Sequence, residues 1–229
     1  MLSGEVVIPT LSGIRFLVDV INSGPIPIFS WDGRHITIGR VKIAFTSFGV
    51  PQRITLDDQS DIWISPETEI LTVNGDAFSA REIPIGTSLL PLYLRDDKWK
   101  HWVYREPGEW HRGARTTQDR GHWRCVYRMV AEAKLGRRLE PTDAIRLNGS
   151  DKHDCSPENI SIGKRTVSRR KRQRNFTEPL IEAQAIINRP NHRVTDSQID
   201  ASRAMYSILG CGSCNLAAGG IFVRVDKVE

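Results

Sequence analysis

The sequence predicts an α+β protein in which an all-β unit, built from both ends of the chain, holds a helix-bearing middle. Three observations predict it. Residues 4–94 are short runs rich in Val, Ile, Phe and Thr, about ten residues apart, with turn residues between them. Helical spacing of apolar residues begins only after residue 125, and β character returns after Gly210. Strands, then helices, then strands place the two β pieces in one domain with the middle inserted.

The β runs lie at 6–8, 16–21, 26–31, 36–38, 40–46, 52–56, 61–64, 70–73 and 87–93. Asp32-Gly33 and Asn74-Gly75 fall between such runs and have the chemistry of tight hairpin turns that need positive φ. Such spacing suggests a curved or barrel-like fold rather than βαβ units. Near residue 95 the composition shifts: Trp99, Trp102, Trp110 and Trp123 stand among Lys98, Lys100, Arg105, Arg112, Arg115 and Arg124. These rings either stack on bases or close a small core, and core is the preferred reading for most of them.

Residues 127–135 place Tyr127, Val130, Ala131 and Lys134 at helical spacing, with Gly136 as the stop. Residues 164–174 hold seven Lys and Arg in eleven positions and read as an arm. Thr177 caps a predicted helix through 188, and the turn Arg189-Pro190-Asn191 follows. Thr195 with Gln198 makes a capping box for a second helix through 209. The pair is expected to pack on itself or on the β unit. Ile221 to Val225 closes the chain as a strand. The boundaries are therefore 1–95, 96–163, 164–209 and 210–229.

Composition excludes several classes. The chain has 229 residues, 39% hydrophobic, enough for one large or two small domains. No run approaches the roughly 18 apolar residues of a membrane span, and the start has no basic and apolar leader, so no membrane partner is expected. Four cysteines do not make a disulfide scaffold, which leaves a cytoplasmic protein as the expectation. The charge is local: residues 1–100 carry 9 Lys and Arg against 12 Asp and Glu, while 112–174 carry 17 against 7. Concentrated positive charge is the footprint of a polyanion-binding surface, and a solvated face is the plain alternative.

Within that segment, Tyr127-Arg128-Met129-Val130-Ala131-Glu132-Ala133, Leu135-Gly136-Arg137-Arg138-Leu139, Ala144-Ile145-Arg146-Leu147-Asn148-Gly149 and Asp154-Cys155-Ser156-Pro157-Glu158-Asn159-Ile160 follow in order. This series resembles the HNH nucleases, especially the homing endonucleases of phages. The family pattern is a helix, a glycine turn, a strand ending in histidine, an Asn-Gly turn, and a Pro-Glu-Asn segment leading into a second helix. Ser156 with Pro157 suits such a helix start. The resemblance implies a general base and a divalent metal, Mg or Mn, at the site. Here Ile145 and Arg146 occupy the expected histidine positions. Isoleucine has no ligand atom, and arginine stays protonated. His153, Asp154 and Asn159 remain as the candidate catalytic set, no metal ligand is assigned, and no cofactor is certain. His153 reads equally as a phosphate contact or a solvated loop residue.

The two ends resemble a Hint domain, the fold of inteins. Leu2-Ser3-Gly4-Glu5 is similar to an intein start, with Phe29-Ser30-Trp31-Asp32-Gly33 following at a family turn. Ile64-Ser65-Pro66-Glu67-Thr68, Leu71-Thr72-Val73-Asn74-Gly75 and Ala80 to Gly86 resemble the Thr-x-x-His block and its continuation, and Cys214 to Val225 the closing block. Splicing needs an N-terminal Cys or Ser, a block histidine and a terminal His-Asn. Met1, with no peptide bond expected upstream, Thr68, and Arg224-Val225 stand at those positions, and Ser3 reads as a turn residue. Self-splicing is therefore not expected.

Cys211-x-x-Cys214 has the spacing of half a zinc site or a redox pair, but Cys125 and Cys155 are isolated in sequence, and packed small residues are the preferred reading. The combined expectation is an intein-derived, phage-type, HNH-like protein that binds double-stranded DNA, in a bacterial host's cytoplasm, with splicing lost and nuclease activity lost or impaired. Its candidate DNA contacts are Arg137, Arg138, Arg146, Lys152, Lys164, Arg165, Arg169, Arg170, Lys171, Arg172 and Arg174. The alternatives are an active metal-dependent endonuclease and a Hint scaffold that binds a protein partner.

Overall fold

The computed structural model describes residues 1–97, 101–105, 123–165, 192–211 and 215–225. The first strands are β1 (Leu2–Ser3), β2 (Val7–Thr10), β3 (Gly13–Phe16), β4 (Ile26–Trp31) and β5 (Ile36–Gly49). They are followed by β6 (Gln52–Leu56), β7 (Asp61–Ile64), β8 (Glu69–Leu71), β9 (Ala77–Ser79) and β10 (Ser88–Leu89). Next come β11 (Tyr93–Asp96), β12 (Trp102–Arg105), β13 (Trp123–Cys125), helix α1 (Val126–Leu135), β14 (Asp143–Leu147) and β15 (Ile160–Lys164). The chain closes with β16 (His192–Ile199), β17 (Arg203–Cys211), β18 (Asn215–Ala218) and β19 (Ile221–Arg224).

Fourteen strands form one antiparallel sheet, in the order β10-β16-β6-β7-β1-β17-β5-β4-β18-β19-β8-β9, with β2 on β4 and β3 on β2. Strands from both ends of the chain interleave in it, so neither end forms a sheet alone. The long strand β5 pairs with β4 over its first half and with β17 over its second. The turn joining β4 to β5 uses Gly33 at φ 98°, and Asp32 Oδ1 accepts the Arg34 and His35 N–H groups at 2.8 and 2.7 Å.

Because side chains alternate across a strand, the sheet serves two cores. Ile28, Val41, Ile70, Leu216, Ala218, Ile221 and Val223 face one apolar cluster. Their neighbours Phe29, Leu71, Ala217 and Phe222 face a second, shared with Trp102, Val126, Val130, Ala131, Cys155 and Ile160. Helix α1 and the three-stranded sheet β11-β12-β13 therefore sit on the back of the large sheet and are not a detached module. Each fully buried Phe or Val in that seam contributes about 1.5–3 kcal/mol.

Three expectations are corrected. Residues 195–209 are not a helix but the end of β16 and most of β17. Register shifts between Val194 and Asp196, and between Met205 and Tyr206, break the two-residue period and mimic helical spacing. Residues 17–20 form a short 3-10 turn rather than a strand. Pro157–Asn159 is also a single 3-10 turn, running straight into β15 instead of a second helix. The predicted helix 177–188, Trp99, Trp110 and Cys214 lie outside the described residues.

Candidate functional site

Two places carry the chemistry that the sequence singles out: the junction of the chain ends, and the unit formed by α1 and the β14-β15 hairpin.

At the first, β1 inserts between β7 and β17, which sets Leu2 opposite both Ile64 and Tyr206. This register brings Met1 to the turn after β7. The Met1 amino nitrogen donates to Thr68 Oγ1 at 3.0 Å, and the Met1 carbonyl accepts from the Ser65 N–H at 2.8 Å and from Thr68 Oγ1 at 3.3 Å. Strand β19 pairs with β8 through Val223 and Ile70, and Arg224 Nη1 reaches Glu69 Oε2 at 2.6 Å. The residues matched to the start and the block histidine therefore meet, and the closing strand lies beside the same segment. Met1, Thr68, Arg224 and Val225 supply a thioether, a hydroxyl, a guanidinium held by a carboxylate and an aliphatic side chain, and none of them is the Cys or Ser, the histidine or the His-Asn pair that splicing uses.

In the second, α1 ends at Gly136, whose φ of 65° lets its N–H return to the Ala133 carbonyl. Lys134 Nζ donates to the carbonyls of Pro157 and Ile160 at 2.8 Å each, tying the helix end to the hairpin. Strand β14 pairs with β15 from Asp143–Lys164 to Leu147–Ile160. Ile145 and Leu147 turn toward the second core, whereas Arg146 is exposed on the opposite face.

The candidate catalytic residues fall into two groups. Asn159 Oδ1 accepts the Gly149 N–H at 2.6 Å and its Nδ2 donates to the Asp154 carbonyl at 2.6 Å, so both ends of the amide brace the loop. Asp154 Oδ1 accepts the Ser156 N–H at 3.0 Å. His153 points elsewhere: Nε2 is 2.8 Å from Asp96 Oδ1 on β11, its Nδ1 lies 3.8 Å from Asp151, and its ring lies 5.6 Å from that of Trp102. Asp96 had no distinguishing sequence signal, because it is 57 residues away. Among the described residues no three His, Cys, Asp or Glu side chains gather as a metal site. With Asn159 and His153 engaged this way, the donors present do not fit a divalent ion.

The candidate DNA contacts also divide. Arg137 Nη1 and Lys164 Nζ grip the two oxygens of Asp143 at 2.8 and 3.0 Å, and Lys164 also reaches Glu140 at 3.1 Å. The Arg137 hydrogen bond, then the Glu140 N–H and Lys164, hold the Asp143 carboxyl well below the usual range. Lys164 likewise pulls Glu140 down, and Asp143 raises Arg137 and Lys164. Arg137 and Lys164 are thus both ion-paired within the hairpin. Arg138, Arg146, Lys152 and Arg165 are exposed around the same hairpin. Arg169, Arg170, Lys171, Arg172 and Arg174 lie outside the described residues.

A cleft of about 460 Å³ opens between α1, β14 and the loop that follows, lined by His101, Tyr127, Ile145, Leu147, Gly149, Ser150 and Lys152. The sequence reading missed His101 and Tyr127 as members of any site. Burial first, and then the neighbouring Cys125, push the Tyr127 hydroxyl up to about 12, and burial also raises Cys125. Burial also pushes Cys155 up to about 12, so neither free thiol among the described residues is activated.

The sequence matches no protein-family model and no curated protein. Its fold is similar to solved inteins. A mutant of an Ssp DnaB mini-intein variant superposes with a TM-score of 0.52 over 98% of both chains at 10% identity. The variant itself gives 0.51 over 98% of this chain and 92% of its own at 9% identity. The mostly-β curled sheet with one helix among the described residues is thus a Hint, intein-like fold. No described helix is long and apolar enough to cross a membrane.

Proposed function

We propose that this chain is a DNA-binding protein on a Hint scaffold, with splicing lost and with HNH-type cleavage lost or impaired. The observation that carries the reading is the division of labour across β14. Its inner face presents Ile145 where a catalytic histidine is expected, and its outer face presents Arg146, with Arg138 and Arg165 exposed elsewhere around the hairpin. Cations left in water around a rigid hairpin suit phosphates, while a β-branched hydrocarbon suits no step of hydrolysis. The loss of splicing rests on Met1 and Thr68, which meet where the resemblance to an intein calls for a Cys or Ser and a histidine.

Two assays test the reading. A gel-shift titration of duplex DNA over a salt series is expected to show binding that weakens steeply with salt. Absence of binding at low salt sinks it. A nicking assay with magnesium or manganese is expected to show no cleavage above that of His153→Ala and Asn159→Ala variants. Cleavage that those substitutions abolish establishes an active endonuclease instead.

One observation favours a second reading, a scaffold that binds a protein partner. Phe45 and Phe48 on the far half of β5 are 51% and 74% exposed, with their rings 5.7 Å apart and Phe45 5.6 Å from Tyr206. Exposed apolar clusters of this kind mark interaction surfaces. Under that reading Phe48→Ser abolishes partner binding and Arg146→Ala leaves it intact.

A further inference from the structure

We propose that the cleft between α1 and β14 is a pocket for a single unpaired DNA nucleotide, with its base against the Tyr127, Ile145 and Leu147 walls and its phosphate at Lys152. The inference rests on the DNA-binding reading above and specifies what that hairpin recognises.

The composition of the cleft carries the argument. Ile145 and Leu147, both from the inner face of β14, supply an aliphatic wall where a hydrolytic site needs ligands. Tyr127 and His101 supply two rings, 5.4 Å between centroids and inclined at 62°. The Tyr127 ring is held by its position on the first turn of α1, where it packs against the second core. The only cationic side chain lining the cleft among the described residues, Lys152, lies with Ser150 on the exposed loop at its mouth. A flat ligand with an apolar face and an anionic end matches that order, and a nucleotide has both. About 460 Å³ has the size of a small-molecule pocket and excludes a double helix. A duplex can therefore fill it only by releasing one base from the stack.

The cleft is also placed for this. Arg146 and the cleft wall residue Ile145 are adjacent on β14 and face opposite sides of it, so a backbone following the exposed cations passes the edge of the same strand. Bulged or mismatched sites, where extruding a base costs least, are then the preferred targets.

Full-length protein is titrated by fluorescence anisotropy with an intact duplex and with the same duplex carrying one bulged 2-aminopurine. The bulged duplex is expected to bind at least about fivefold tighter, the low end of what base–aromatic stacking supplies. Its 2-aminopurine emission is expected to fall on binding as the base stacks. Ser150→Trp, on the exposed loop, fills the mouth without touching the core. It is expected to remove the preference and the quenching while leaving intact-duplex affinity within about twofold. Tyr127→Leu, which keeps the apolar volume, is expected to do the same. Equal affinity for the two duplexes, unchanged emission, or a preference that survives Ser150→Trp overturns the pocket and leaves the DNA-binding reading standing. Failure to bind either duplex overturns both.

Discussion

Met1 and Thr68, 67 residues apart, share one hydroxyl: Thr68 Oγ1 accepts from the Met1 amino nitrogen at 3.0 Å and donates to the Met1 carbonyl at 3.3 Å. The geometry joins a chain end to the turn after β7, and the groups it joins are those of a structural clasp. Thr68 is 7% exposed, and removing its hydroxyl breaks both bonds to Met1. Thr68→Ala is expected to cost about 0.5–1.5 kcal/mol in urea denaturation, and Thr68→Ser to restore most of it. A Ser variant no better than Ala contradicts the clasp.

Gly219 turns β18 into β19 at φ 57°, with its N–H on the Val7 carbonyl at 2.7 Å. A Cβ there would lie 2.7 Å from Ile62 Cγ1. Gly219→Ala is therefore expected to destabilise by about 1–3 kcal/mol through left-handed strain and the clash with Ile62. An unchanged denaturation midpoint would show that the closing hairpin does not pack there.

Asp143 governs the acid response of the hairpin. Its folded carboxyl is held below the ordinary Asp value, so the stability it gives is fully present above about 3.9, its unfolded value, and is lost as the pH falls from there toward the folded value. The urea midpoint difference between wild type and Asp143→Asn is expected to be constant from about pH 5 to 7 and to shrink below about pH 4. A difference that stays constant down to about pH 3 contradicts this account.

Asn159 and Arg146 separate bracing from binding. Asn159→Ala removes the partner of the exposed Gly149 N–H and of the part-buried Asp154 carbonyl and is expected to cost about 0.5–1.5 kcal/mol of stability. Arg146→Ala, exposed on β14, is expected to change stability by less than about 0.5 kcal/mol and to weaken DNA binding. The reverse pattern contradicts the assignments.

Much of the β scaffold was legible because local chemistry and tertiary position agree. Residues 52–56 and 61–64 were read to the residue, and Asp32-Gly33 and Gly136 do what their types predict. The split at 36–46 failed at Gly39, which does not break β5: a Cβ there would lie 3.1 Å from Ser30 Cβ, so the glycine permits the approach of β4. Residues 195–209 failed because bulges displaced the alternation on which strand recognition depends. At the site, the positions of Met1 and Thr68 were matched through the resemblance to a Hint domain, whereas His153 with Asp96 and the His101–Tyr127 wall arise from tertiary packing that no local pattern encodes, and Arg137 with Asp143 from the turn between α1 and β14.

The central claim is that exposed cations on the hairpin, and not those bound by Asp143, hold DNA phosphates. The direct measurement is the salt dependence of duplex affinity for wild type, for Arg138→Ala/Arg146→Ala/Arg165→Ala and for Arg137→Ala. Each phosphate that a cation neutralises adds about 0.9 to the log–log slope, so the triple variant is expected to reduce that slope by about 2 to 3, and Arg137→Ala to leave it within about 0.5. A triple variant with the wild-type slope and affinity would contradict the account.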